Sequence, residues 1–179
     1  MFRAVASAVA EKGFASVTVA DIISRAGVSR ETFYEQFSDK EGCFIAALEQ
    51  GARSLLEILG SAVEHAEGGP VDRLEEMLKA YLTTLAGEPE FAKAFLIDAY
   101  GAGSDATERR LELQRSFVDL VSEIFTENGH APDRFACEVL VAAISSLVTA
   151  RVGCGRIEEL PRLREPLVAL VRRFEGAKQ

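Results

Sequence analysis

Residues 18–44 read "TVADIISRAGVSRETFYEQFSDKEGCF", and this stretch decides the fold of the first part of the chain. Thr18 and Asp21 have capping-box spacing, in which a hydroxyl accepts a backbone N–H and a carboxylate reaches back. Gly27 stands where a helix ends in the left-handed conformation that glycine adopts at least cost. Ser29 suits the cap of a following helix. The stretch therefore predicts a helix, a tight turn and a second helix.

A third helix is predicted to begin at about residue 39. Ser38 and Glu41 repeat the capping-box spacing there, so we expect Ser38 to be the cap. In the second helix, Phe33 and Phe37 lie together on a helical wheel and predict the buried side. A helix-turn-helix requires such an apolar inner side, with the rest of the second helix free to enter the major groove. The polar residues that flank or oppose the two phenylalanines are Arg30, Thr32, Tyr34 and Gln36.

This segment resembles the N-terminal DNA-binding unit of the TetR family of transcriptional regulators. The resemblance begins at "EKGF" (11–14) and implies a helix-turn-helix head at residues 1–45. Residues 46–179 would then be a helical ligand-binding and dimerisation domain, linked to the head by a helix at about 39–66. The matching positions are Thr18, Ile22, Ala26, Gly27, Val28, Ser29, Thr32, Tyr34, Phe37, Lys40 and Glu41.

The resemblance also implies roles for individual residues on double-stranded DNA. Phosphate contacts fix register without reading sequence, whereas contacts to base edges specify it. Lys40 lies in a first helical turn, where a cation is disfavoured by the helix dipole, and this mismatch favours a phosphate contact. The implied partner is a palindromic operator bound by a homodimer. Thr18, Tyr34 and Lys40 would contact phosphates, and Arg30, Thr32 and Gln36 would face base edges.

Two acidic residues of the second helix are unexpected on a surface that meets a polyanion. Glu31 and Glu35 are four residues apart and lie away from the two phenylalanines. They could accept a hydrogen bond from a cytosine amino group. Alternatively, they could lie beside the groove and lower non-specific affinity. The sequence leaves both readings open.

The charge balance excludes a general attraction to nucleic acid. The chain of 179 residues has a net charge of −8, and its first 50 residues hold five basic and seven acidic side chains. DNA binding must therefore come from local geometry. We also expect a cytoplasmic protein, because neither a signal peptide nor a run of 18 apolar residues is apparent.

No catalytic, cofactor or metal motif is recognisable, so we expect neither an enzyme nor a resident cofactor. His65 and His130 are too isolated to share one ion. The three cysteines match no metal spacing. Small buried or half-buried thiols are the favoured reading, with redox sensing by one of them as the alternative. The cysteines are Cys43, Cys137 and Cys154.

Gly- and Pro-rich breaks divide the chain into about nine helices, which predicts an all-α fold. In the later part, aromatic residues and one methionine are candidates for a pocket between helices, which favours a small, largely apolar effector. These candidates are Met77, Tyr81, Phe91, Phe95, Tyr100, Phe117 and Phe125.

The last two helices are amphipathic and are the candidates for a dimer interface. A ligand-responsive repressor is the function that the resemblance implies. The alternative is a helical ligand- or protein-binding module that has lost DNA binding. The interface candidates are Leu140, Ala143, Ile144, Leu147, Leu163, Leu167, Leu170 and Phe174.

Overall fold

The structure is a computed structural model that describes residues 1–126 and 132–176, so His130 lies outside the described residues. Within these residues the chain forms nine α-helices and no strand, which confirms the predicted all-α class. Three short 3-10 helices cover Phe14–Ser16, Asp98–Gly101 and Ile157–Leu163. The α-helices are α1 (Phe2–Lys12), α2 (Val19–Ala26), α3 (Arg30–Gln36), α4 (Lys40–Glu64), α5 (Pro70–Gly87), α6 (Pro89–Leu96), α7 (Ser104–Ile124), α8 (Arg134–Gly153) and α9 (Arg164–Gly176).

The chain packs as two compact units, and each is built from two separate segments. The first unit comprises residues 1–53 and 88–113, and the second comprises residues 54–87 and 114–179. The first unit thus combines the sequence-predicted head with α6 and the beginning of α7. The functional division at residues 45 and 46 stays a prediction.

The first unit has a fully buried apolar core around α1. The inner face of α1 packs against α2 and α6, and the 3-10 helix Phe14–Ser16 packs against the 3-10 helix Asp98–Gly101. This core holds α2, α3 and the beginning of α4 together, so the helix-turn-helix rests on a rigid support. Its fully buried members include Val5, Val9, Ile22, Phe33, Phe44 and Ala47.

The second unit has its own core. Helix α5 packs against the 3-10 helix Ile157–Leu163 and against α9. Its inner face is a row of leucines at helical spacing, which follows the amphipathic rule for a core-facing helix. Fully buried residues of this unit include Leu74, Leu78, Leu82, Val121, Val148 and Leu160.

Helix α8 has a predominantly apolar sequence. By length and composition it would suffice to cross a membrane, but only 28% of that window is buried in the chain. One such helix is weak evidence for a membrane span, because core helices of soluble proteins have the same composition. The single chain therefore leaves several apolar residues of α8 exposed.

Candidate nucleic-acid interface

The turn between α2 and α3 has the predicted geometry. The Thr18 hydroxyl accepts the N–H of Asp21 at 3.2 Å, and the Asp21 carboxylate accepts the N–H of Thr18 at 2.9 Å. Gly27 ends α2 in the left-handed region with φ 67° and ψ 32°. Ser29 caps α3 by accepting the N–H of Thr32 at 3.0 Å. The predicted capping box, glycine and serine cap are thus all confirmed.

The orientation of α3 is set by its phenylalanines. Phe33 is fully buried, and Phe37 is half-buried against Phe2 with ring centroids 6.3 Å apart. The ring of Tyr34 meets Phe33 edge-on at 5.3 Å, yet Tyr34 is 45% exposed. The Arg30 guanidinium lies over the Tyr34 ring at 5.4 Å, a cation–π contact. The two residues therefore form one preorganised pair on the outside of α3.

The predicted base-reading residues are unequally available. Arg30 and Gln36 are exposed, whereas Thr32 is half-buried and its hydroxyl lies 3.0 Å from the Ser29 hydroxyl. Tyr34 keeps its hydroxyl free among the described residues. Base and phosphate contacts by these four residues stay predictions, but nothing in their packing opposes them.

Lys40 is engaged inside the chain, which the sequence did not predict. Its ammonium donates to the carbonyls of Phe14, Ala15 and Val17 at 2.9, 3.2 and 2.8 Å, and lies 4.7 Å from the Phe14 ring centroid. An ammonium group has three donors, and all three are used here. The predicted phosphate contact would therefore require one of these bonds to be given up. These bonds explain why a cation stands in the first turn of α4, because the ammonium donates to carbonyls outside that helix.

Thr18 is also partly committed. Its hydroxyl donates to Asp21 at 2.8 Å, and Asp21 in turn accepts from Lys12 at 2.6 Å. The hydrogen bond from Lys12 and those from Thr18 hold the pKa of Asp21 well below its usual range. A phosphate contact by Thr18 would have to compete with this capping network.

The remaining cations of the head are paired as well. Arg25 pairs with Glu11 and donates to the Ser7 hydroxyl, and Arg3 pairs with Glu88 at 2.7 Å. Arg30 is thus the one basic residue among the first 50 that has neither an ion pair nor a backbone acceptor within the described residues. The head presents very little free positive charge.

The predicted cap of α4 is wrong. Asp39, not Ser38, caps this helix, because its carboxylate accepts the N–H of Gly42 at 2.8 Å. Both residues have suitable side chains, and the capping-box pattern selected the position one residue too early. Helix α4 begins at Lys40, one residue after this cap.

Two of the three thiols are buried. Burial raises the pKa of Cys43, in the head core, to about 11 and also raises the pKa of Cys137 on α8. Raised pKa values disfavour the reactive thiolate. Cys154 is exposed at the end of α8, and a redox role for it stays an open alternative.

The candidate pocket residues divide between the two units. Phe91 and Phe95 stack at 5.2 Å in the first unit, where Tyr100 is exposed beneath the Arg110 guanidinium. In the second unit Tyr81 meets Phe117 edge-on at 5.5 Å. Met77 and Tyr81 are buried, and Phe117 and Phe125 are half-buried. A pocket lined by these seven residues stays a prediction.

The second unit has an open depression of about 600 Å³ that contains none of these aromatics. Its lining is largely acidic, and two of its carboxylates, Asp72 and Glu75, pair with Arg172. It therefore suits an apolar ligand poorly. No group of three or more metal-ligating side chains occurs in the described part of the chain.

The eight interface candidates fall into three groups by burial. Ile144, Leu163 and Leu167 are buried within the chain, so they support the fold and have no free surface for a partner. Leu140 is half-buried. Ala143, Leu147, Leu170 and Phe174 are exposed, and the sequence pattern missed two further exposed large apolar residues of α8, Phe135 and Val139.

Comparisons with known proteins agree with this geometry. Residues 3–47 match the family model described as bacterial regulatory proteins, tetR family. The fatty acid degradation regulator FadR from Bacillus halodurans has a similar structure, with a TM-score of 0.83, 19% identity and 94% of each chain covered.

Two further solved structures show the same fold. FadR from Bacillus subtilis, in complex with stearoyl-CoA, has a TM-score of 0.81 and 17% identity over 94% of each chain. The TetR family transcriptional regulator PfmR from Thermus thermophilus has a TM-score of 0.74 and 17% identity, covering 95% of this chain and 92% of that one. At these identities the likeness establishes the fold.

Proposed function

We propose, from the match of residues 3–47 to the tetR-family model, that this chain is a TetR-family transcriptional regulator: a cytoplasmic, homodimeric repressor that leaves its operator when a small apolar molecule binds. The observation that carries the proposal is α3 itself. Its phenylalanines face the core, while Arg30, Tyr34 and Gln36 are exposed on a capped helix that follows a tight turn. A helix so presented can enter a major groove.

The exposed faces of α8 and α9 support a homodimer. Phe135 is 68% exposed and Phe174 is 64% exposed. On α8 the apolar and small residues recur every three or four positions, which is the spacing of a helix-packing seam. A second copy would bury both faces and would also account for the apolar character of α8. The exposed residues are Phe135, Val139, Ala142, Ala143, Leu147 and Ala150 on α8, and Ala169, Leu170 and Phe174 on α9.

A long acyl chain is the first effector to test. The FadR structure from Bacillus subtilis is a complex with stearoyl-CoA. In this chain the candidate pocket residues are aromatic or thioether side chains, which suit an alkyl chain better than a polar molecule. Effector binding must favour one conformation of the protein, and that conformation must bind the operator less well.

Selection of binding sites from a random duplex library tests DNA binding directly. We expect a palindrome whose half-site centres are about 10–10.5 base pairs apart, or a multiple of that spacing. Failure to enrich any palindrome would favour the alternative function, a helical binding module without DNA binding. The paired cations of the head are the observation behind that alternative.

Release of the selected operator tests the effector. Stearoyl-CoA, stearate, acetyl-CoA and free CoA are titrated into the protein–operator complex, and release is followed by fluorescence anisotropy. We expect stearoyl-CoA and stearate to release the DNA, because both carry the long alkyl chain, and acetyl-CoA and CoA to be inactive. Equal activity of CoA alone would contradict recognition of the acyl chain.

A further inference from the structure

The face of α3 opposite its buried side is acidic. Successive residues of an α-helix are about 100° apart, so Glu31 and Glu35 lie roughly opposite the direction of Phe33 and Phe37. Both glutamates are exposed, and neither forms a hydrogen bond or ion pair among the described residues. A helix that enters the groove with its free face would carry both carboxylates with it.

The fold explains these acids only in part. Like charges four residues apart destabilise a helix, and Glu31 and Glu35 have this spacing within α3. Glu35 also lies in the last turn of α3, where the helix dipole disfavours a negative charge. The cap of α3 comes from Ser29, and the helix dipole favours Glu31 in the first turn without requiring a carboxylate there. Within the chain the helix dipole favours Glu31 alone, and neither carboxylate has a partner among the described residues, so both are free to meet a partner outside the chain.

The major groove offers few partners to a carboxylate, which only accepts hydrogen bonds. Amino groups are the donors on the base edges, and they belong to cytosine and adenine, whereas the groove atoms O6 and N7 of guanine and O4 of thymine accept. At a cytosine the carboxylate gains a hydrogen bond to N4. At guanine or thymine it stays unpaired beside other acceptors, which penalises those sites.

We propose that Glu31 is a specificity-determining residue that accepts a hydrogen bond from N4 of a cytosine in each operator half-site. This inference rests on the proposed function. Glu31 is favoured over Glu35 because the residues at the beginning of a recognition helix reach the base edges. Its neighbour Arg30 is held over Tyr34, on the adjacent side of the helix, and leaves Glu31 unobstructed.

Binding-site selection with four proteins tests the inference: the unmodified chain, Glu31→Gln, Glu31→Ala and Glu35→Gln. We expect the unmodified chain to prefer cytosine at one symmetric position by at least about fivefold. Glu31→Gln should shift that preference toward adenine, because an amide can pair with N6 and N7 of adenine. Glu31→Ala should abolish the preference.

Glu35→Gln is the matched control, since it removes the same charge one helical turn further on. We expect it to raise affinity on all sequences and to leave the preferred bases unchanged. If Glu31→Gln and Glu31→Ala also raise affinity without changing any preferred base, the inference is wrong and the acid only lowers non-specific binding. If the unmodified chain enriches no palindrome, the proposed function itself fails. Thermal melting of each variant identifies any loss of fold.

Discussion

The outer face of α3 and the exposed faces of α8 and α9 differ in what they leave unsatisfied. On α3 the free groups are hydrogen-bonding side chains, and the aromatic rings are turned inward or held under Arg30. On α8 and α9 the free groups are large apolar side chains such as Phe135 and Phe174. The first surface suits base edges and phosphates, and the second suits another copy of the chain. The class of partner that each surface suits therefore follows from the chemical groups that folding leaves exposed on it.

The largest expected effect is loss of the dimer. Leu170→Glu places a charge on the exposed face of α9, and we expect monomers in sedimentation equilibrium and roughly 100-fold weaker operator binding, because two linked heads bind far better than one. Leu111→Glu is the control, since Leu111 on α7 is 49% exposed and Leu170 is 44% exposed. If the Leu170→Glu protein stays dimeric, the exposed face of α9 is not the dimer interface, and the proposed contrast between the two surfaces is wrong.

The second effect concerns Lys40. Lys40→Met removes three charge-assisted hydrogen bonds, and we expect the free energy of unfolding in urea to fall by about 2–4 kcal/mol. Lys12→Met is the comparison, since it breaks an exposed pair and should cost less than about 1 kcal/mol. Operator affinity of the folded Lys40→Met protein should change little. A more than tenfold loss of operator affinity would instead support the phosphate contact that the sequence predicts for Lys40.

The third effect is a shallow salt dependence. With Arg30 as the one unpaired cation of each head in the described structure, a dimer releases few counterions. We expect log Kd against log salt to have a slope of about 2, compared with roughly 5–9 for a protein making 6–10 phosphate contacts. The measurement is fluorescence anisotropy between 50 and 200 mM salt. A steep slope would show that the internal ion pairs open on DNA.

The smallest effect comes from Asp98, in the support of the head. One of its carboxylate oxygens is buried without a hydrogen bond, and burial raises the pKa of Asp98 although Lys93 opposes the rise. A folded-state pKa above the unfolded one means that stability falls as pH rises through the folded pKa. Asp98→Asn should therefore stabilise the protein at pH 7 by less than about 1 kcal/mol, since water still reaches part of the side chain.

Thermal melts at two pH values check this prediction. The gain from Asp98→Asn should be present at pH 7 and absent at about pH 3, where the carboxyl group is protonated in both states. Asp105→Asn is the control, because Asp105 is exposed and should give no gain. An equal gain at both pH values would mean that ionisation is not the cause.

Features that depend on residues three or four positions apart could be predicted from the sequence. The Thr18–Asp21 box, the left-handed Gly27, the Ser29 cap and the burial of Phe33 are of this kind. Each depends on the geometry of a single helical turn, and this geometry is the same wherever the helix packs. The prediction failed at Ser38 because two adjacent residues could both cap, and it is Asp39 that accepts the free N–H of the helix.

Features that join distant segments were decided by the tertiary structure alone. The partners of Lys40 are backbone carbonyls 23–26 residues away, and no side-chain pattern marks a carbonyl as an acceptor. The same holds for α6. This helix belongs to the first unit, although the whole of residues 54–87, which belong to the second unit, lies between the two segments of the first.

By itself, the sequence determined the helices, the turn and the acidic outer face of α3, since these depend on local spacing. Tertiary structure decided which apolar residues remain exposed: Ile144 and Leu167 are buried, while Leu147 and Leu170, three residues further along each helix, are not. An amphipathic stripe wider than one partner can cover looks uniform in sequence. Only the packed chain shows which edge of the stripe stays exposed, and that edge is where we propose that a second copy binds.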